Sequence, residues 1–130
     1  RNRTNFLSRT LATDARMKLS HSQKILVTEI ARRANTFESA EEPPQWDRWA
    51  YADYLDQKQN GVRYSHSRWF GKQTSSQRMR WYRALRALEQ AELIEVTRVE
   101  ALRSRQQVYL RLTPAGERLA RELLARESNN

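Results

Sequence analysis

The sequence predicts a mainly helical α+β domain that carries one small β-hairpin. Three observations lead there. Apolar residues recur at helical spacing in "KILVTEIARRA", "RWYRALRALEQ" and "ERLARELLARE". Strict alternation replaces that period in "LIEVTRV" and "QVYLRL". The chain has 130 residues, which suits one domain with a core of its own, and shows no internal repeat.

Residues 1–18 are polar and basic, with Phe6, Leu7, Leu11 and Met17 as scattered apolar anchors. They read as an N-terminal arm or dimerisation segment. Residues 19–130 read as one domain with an insertion at about 36–64. Ser20 and Gln23 form a capping-box pattern, and Leu26, Ile30 and Ala34 share one face, so a helix is expected over about 21–34. "NTFESAEEPPQ" breaks it. "WDRWAYADYLDQKQ" aligns Trp46, Ala50 and Tyr54 and predicts a short amphipathic helix, closed by the turn signal Asn60-Gly61-Val62. "SHSRWFGK" predicts another short helix, capped by Ser65 or Ser67, with Trp69 and Phe70 inward.

The next helix is expected over about 76–91, capped by Ser75 or Ser76. On a helical wheel Trp81, Ala84, Leu85 and Leu88 form one stripe. Met79, Arg83, Arg86 and Gln90 lie opposite, Ser76 and Arg80 on their flank, Arg78 and Tyr82 at the border. The alternating runs pair as an antiparallel hairpin, Ile94 and Val96 facing one way and Val108, Leu110 and Leu112 opposing Tyr109 and Arg111. Its link, "EALRSR", has no Gly, Asn or Pro. Thr113 caps the last helix, Pro114 takes its first position and Gly116 permits close approach to a neighbour. Leu119, Ala120, Leu123 and Leu124 form its buried stripe. The expected core is Leu26, Ile30, Phe70, Trp81, Leu85, Leu88, Ile94, Leu110 and Leu112.

Lys and Arg total 24 against 15 Asp and Glu, for a net charge of +9. Most of the cations are arginine, whose planar fork suits phosphate and guanine edges. This balance raises the expectation of a nucleic-acid or anionic-surface partner. The absence of cysteine excludes disulfides, cysteine zinc sites and thiol nucleophiles, and fits a reducing compartment. No segment approaches the roughly 18 apolar residues of a membrane span, and no secretory signal is visible. A cytoplasmic location, on the nucleoid when bound to DNA, is expected. The first residue is Arg1 rather than Met, which leaves a longer parent chain open.

A short helix, a tight turn, a longer helix and a hairpin make a helix-turn-helix followed by a wing. Here the chain resembles winged helix-turn-helix regulators, most closely the MarR type. The resemblance rests on Leu88-Glu89, Glu92-Leu93-Ile94 and Leu112-Thr113-Pro114-Ala115-Gly116, in that order and spacing, together with "LSHSQKILVTEIA" and "WFGKQTSSQRM". It covers roughly residues 19–34 and 65–124. The chain departs from the pattern at Glu92, where glycine is usual, and in "LRSRQQ", which lacks the wing aspartate. The resemblance implies a transcriptional regulator that binds double-stranded DNA, with a homodimer as a further expectation and any small-molecule effector unspecified.

A basic helix is most often just a solvated one. Here Arg78, Arg80 and Arg83 precede any acid on their helix, and Ser76 and Gln77 lie at its start, where a recognition helix touches base edges. The candidate DNA-binding residues are therefore Ser75, Ser76, Gln77, Arg78, Arg80 and Arg83 on the helix, with Arg103 and Arg105 at the wing tip. Trp46, Trp49, Tyr51, Tyr54, Tyr64 and Trp69 are expected to pack the insertion onto the domain; stacking of single-stranded bases and lining a ligand pocket are the other readings. Asp47, Asp53 and Asp56 read as solvated helix acids, and His21 and His66 as surface or capping residues. No nucleophile–base pair, phosphate loop or metal motif is present, so neither catalysis nor a cofactor is expected. Two alternatives stay open: a winged helix that binds origin DNA in replication or plasmid maintenance, and one used for protein contact.

Overall fold

The computed structural model describes residues 18–100 and 106–129. Five helices and three strands follow one another there: α1 (His21–Ser39), α2 (Arg48–Asn60), β1 (Val62–Tyr64), α3 (His66–Phe70), α4 (Ser75–Gln90), β2 (Ile94–Glu100), β3 (Gln106–Leu112) and α5 (Pro114–Asn129). The fold is α+β, mainly helical, with one small antiparallel sheet in the order β1-β3-β2.

The start of α1 has a local cause and its end a tertiary one. The Ser20 hydroxyl accepts from the Gln23 amide while Gln23 Oε1 accepts from the Ser20 amide, the reciprocal box the sequence predicts. The helix runs to Ser39 instead of stopping near Ala34. "NTFES" contains no proline or glycine, Thr36 satisfies its hydroxyl on the Arg32 carbonyl, and Phe37 stacks on Tyr54 at 5.4 Å. Tertiary packing outweighs the weak propensity of the segment. Thr28, the buried polar residue of α1, donates to the Lys24 and Ile25 carbonyls, so its hydroxyl is not left unpaired.

α1 packs against α4, α5 and the sheet. Leu26, Val27, Ile30, Leu85, Leu88, Ile94, Leu110 and Leu119 close into one cluster, each 6 % exposed or less. Each such side chain contributes about 1.5–3 kcal/mol by leaving water. Phe70, Trp81 and Leu112, expected in the core, pack against its margin and are only partly buried.

The sheet has a third strand that the pattern does not announce. Gly61 ends α2 at φ 113° and turns the chain directly into β1, and a side chain there would lie 2.3 Å from the Leu110 carbonyl. Val62 thereby pairs with Leu110, which pairs with Val96 on the other side. The segment between α1 and α3 thus supplies an edge strand as well as a helix. It also covers Tyr109, on the opposite face of β3 from Leu110. Tyr109 is 1 % exposed, where alternation alone placed it outside. Its phenol is held above its ordinary pKa, first by burial and then by nearby Asp56.

α5 starts as expected: the Gly116 amide donates to the Thr113 hydroxyl at 3.1 Å, and a Cβ on Gly116 would fall 2.0 Å from the Leu93 carbonyl oxygen. α4 ends in a Schellman pair, Glu92 donating to the Glu89 carbonyl and Leu93 to the Leu88 carbonyl. Glu92 adopts the left-handed conformation this requires, at φ 60°. Among the described residues no helix is long and apolar enough to cross a membrane.

Candidate nucleic-acid interface

α3 and α4 are joined by residues 71–74, and side chains fix the angle between them. Phe70 and Trp81 stack at 4.0 Å with their planes 7° apart. Gln73 accepts from the Trp81 indole at 3.0 Å and donates to the Phe70 and Gly71 carbonyls. Trp69 donates its indole N–H to the Arg63 carbonyl, and the Arg33 guanidinium lies 4.6 Å above its ring. The joint is locked from both sides. Gln73 was not legible as a structural residue, because nothing in its neighbourhood signals the indole it serves.

The N-cap of α4 is Thr74, one residue before the serines expected there. Its hydroxyl accepts from the Gln77 amide at 3.2 Å, and Gln77 Oε1 accepts from the Thr74 amide at 2.9 Å. Thr74 prevails because only it has Gln three residues on to complete the box. Ser75 and Ser76 are consequently inside the first turn. The same box occupies the oxygen of Gln77 and leaves its side-chain N–H groups available.

Ser75, Ser76, Gln77, Arg78, Arg80 and Arg83 are all exposed; Ser75, Ser76 and Arg83 lie opposite the buried Ala84, Leu85 and Leu88, Arg80 and Arg78 on the flanks of that stripe, and Gln77 in the first turn on its side of the helix. Arg78 donates to the Ser75 hydroxyl at 3.4 Å. Among the described residues, neither Arg80 nor Arg83 lies within ion-pair distance of a carboxylate. Arg86 is tied to Tyr82, donating to its hydroxyl at 3.2 Å, so the four arginines are not equivalent. Met79 and Tyr82 stand on the same surface, each about half exposed.

The start of α1 borders this face. Ser20, His21 and Ser22 share a groove of about 760 Å³ with Ser76, Arg80 and Arg83. His21 thus stands beside the arginines, a juxtaposition that only the packing of α1 on α4 creates. At the other end of α4, Arg98 of β2 pairs with Glu89 at 3.4 Å and links the hairpin to the helix. Arg103 and Arg105 lie outside the described residues, as do residues 1–17 of the N-terminal arm.

The aromatic-rich insertion divides. Tyr54 stacks on Phe37, and Tyr64 meets Trp69 edge-on at 4.9 Å, which fits the packing expectation. Trp46 and Trp49 do not pack: they are 82 % and 89 % exposed, because α2 turns Ala50, Asp53, Tyr54 and Gln57 toward the domain instead. Of the three aspartates expected to be solvated, Asp56 is exposed, but Asp47 and Asp53 have structural partners. Asp47 caps α2 through the Ala50 amide, and Asp53 pairs with Arg63 at 3.2 Å while accepting from Gln57. Among the described residues no group of three or more His, Asp or Glu side chains could hold a metal ion.

Compared with protein-family models, with curated proteins and with solved structures, the chain has no significant match.

Proposed function

We propose that the chain binds double-stranded DNA sequence-specifically as a winged helix, α4 entering the major groove and the β2–β3 hairpin lying against flanking DNA. The observation that carries this reading is the outward face of α4, where Arg80 and Arg83 stand without an acidic partner among the described residues, on a helix held at a set angle by Phe70, Trp81 and Gln73. Arg80 and Arg83 are the candidates for guanine contact. Arg78, Ser75 and Ser76 suit phosphates, and the Gln77 amide N–H groups can donate to an acceptor on a base edge. Ser20, His21 and Ser22, across the groove from Arg80, extend the surface toward a phosphate strand. A transcriptional regulator of MarR-like type is the favoured role, with origin binding in replication as its sibling.

Met79 and Tyr82 favour a second reading, in which the same face docks on a protein. Selection from a random duplex library separates these. Enrichment of an inverted repeat supports a dimeric regulator, direct repeats support an initiator, and absence of enrichment supports protein contact. The DNA reading fails if random duplex does not bind at low salt, or if binding survives unchanged when Arg80, Arg83, Arg103 and Arg105 are all made neutral.

A further inference from the structure

The groove between the start of α1 and one side of α4 holds charge of a single sign. Ser76, Arg80, Arg83 and Ala87 follow one another along that side of α4 at helical spacing. The buried Ala84 and half-buried Ala87 lie at its base, so no large side chain fills it. The exposed Arg80 and Arg83 border it from α4, and the exposed His21 borders it from α1. Among the described residues no carboxylate lines it.

The acids of the surrounding elements are placed elsewhere. The first turn of α1 carries none. Glu29, further along α1, pairs with Arg33 at 2.9 Å, and Glu89 of α4 pairs with Arg98 at 3.4 Å. α5 and the sheet also pack on α1, yet among the described residues they contribute nothing to the groove. The described charged groups about His21 are therefore Arg80 and Arg83 across the groove, with Lys18 and Lys24 to either side on its own segment. All four are cations. An anion entering the groove meets no opposing charge there.

Histidine is the side chain whose charge changes between about pH 5 and 8. An imidazole gains a proton more readily beside an anion than without one. Occupation of this groove by a phosphate is thus coupled to proton uptake.

Resting on the DNA reading above, we infer that the groove is a phosphate subsite for the duplex backbone, with His21 as its proton-dependent contact. As imidazolium, His21 donates to a phosphate oxygen of the strand that Arg80 and Arg83 draw to the α1 side of α4. Duplex affinity consequently rises as pH falls through the histidine range. It does so on any base sequence, since a phosphate contact positions the protein without reading bases.

The chain's other histidine, His66, lies 6.4 Å from Tyr64 and does not line the groove, so it serves as an internal control. Fluorescence anisotropy on random duplex at fixed low salt, from about pH 5.5 to 8, compares wild type with His21→Asn, His21→Arg and His66→Asn. His21 is exposed at the start of α1, outside the core, so its replacement should leave the fold intact. Toward the acid end, wild type and His66→Asn are expected to gain about three- to ten-fold more affinity than His21→Asn, the range for linkage to one proton. His21→Arg, whose charge is fixed, should bind at the alkaline end as tightly as wild type does at the acid end, with the flatter profile of His21→Asn. Between those ends the negative slope of log affinity against log salt should steepen by up to about 0.9 in wild type and stay constant in His21→Asn. Parallel pH profiles for wild type and His21→Asn overturn this inference while the DNA reading stands. So does a pH dependence lost in His66→Asn and kept in His21→Asn. Absence of duplex binding at every pH overturns both.

Discussion

Replacing Glu92 by glycine should stabilise the protein. Glu92 sits at φ 60° so that its own amide and that of Leu93 can reach the Glu89 and Leu88 carbonyls at 3.0 Å. A left-handed residue with a Cβ costs about 1–2 kcal/mol, which glycine avoids. Glycine in turn loses about 0.5–1 kcal/mol more backbone entropy on folding. Removing a carboxylate from the negative end of α4 returns a few tenths of a kcal/mol. The net gain is about 0.5–1 kcal/mol, or a rise of about 2–5 °C in Tm. The Glu92 carbonyl, which accepts from the Thr113 hydroxyl at 2.7 Å, is retained in every variant. Urea denaturation followed by tryptophan fluorescence compares wild type, E92G and E92A. Glu92→Ala keeps the Cβ and should stay near wild type. If E92G is no more stable than E92A, backbone strain at this position is refuted.

Gly116→Ala should be severe, about 3 kcal/mol, because its methyl would meet the Leu93 carbonyl oxygen, an acceptor already held by the Thr113 amide at 3.1 Å; a loss under about 1 kcal/mol in urea would contradict that close approach. Leu88→Ala, at a fully buried position, should cost about 2–5 kcal/mol by the same assay. Burial pushes the Tyr64 phenol up to about 12, whereas in the unfolded chain it ionises near 10. Its contribution is therefore complete below pH 10 and is lost as pH rises from 10 to 12. After discounting for solvent screening the loss is about 1–2 kcal/mol, and Tyr64→Phe should make stability fall less steeply across that window, the remaining slope including that of Tyr109, whose phenol is also raised by burial; parallel profiles for variant and wild type would refute it.

Elements with strong local signals were legible in the sequence. The Ser20 and Thr113 caps, the stripe of α4 and the alternating hairpin strands depend on contacts within a few residues. What stayed hidden depends on partners far along the chain. β1 has three residues and exists because Leu110 is there to pair with it. Tyr109 is buried because α2 packs against β3, so strand alternation alone misplaced it. α1 overran its expected end because Phe37 finds Tyr54. The candidate site divides in the same way. The arginine face of α4 follows from helical period, whereas the approach of Ser20, His21 and Ser22 to Arg80 requires two helices to pack. That Arg86 is engaged by Tyr82 while Arg80 and Arg83 have no carboxylate partner among the described residues is likewise a matter of rotamers that period does not specify.

The most direct test of the central proposal is the salt dependence of duplex binding. Affinity of wild type and of an Arg80→Gln, Arg83→Gln double variant is measured by fluorescence anisotropy across a range of salt, on random duplex and on any selected site. On random duplex each arginine that meets phosphate contributes about 0.9 to the negative slope of log affinity against log salt, so the double variant should lose up to about 1.8. On the selected site it should also lose discrimination, by about 1–3 kcal/mol for each guanine contact removed. Wild-type affinity that ignores salt, or a double variant with unchanged slope and unchanged selectivity, would contradict the assignment of α4 as the DNA-reading helix.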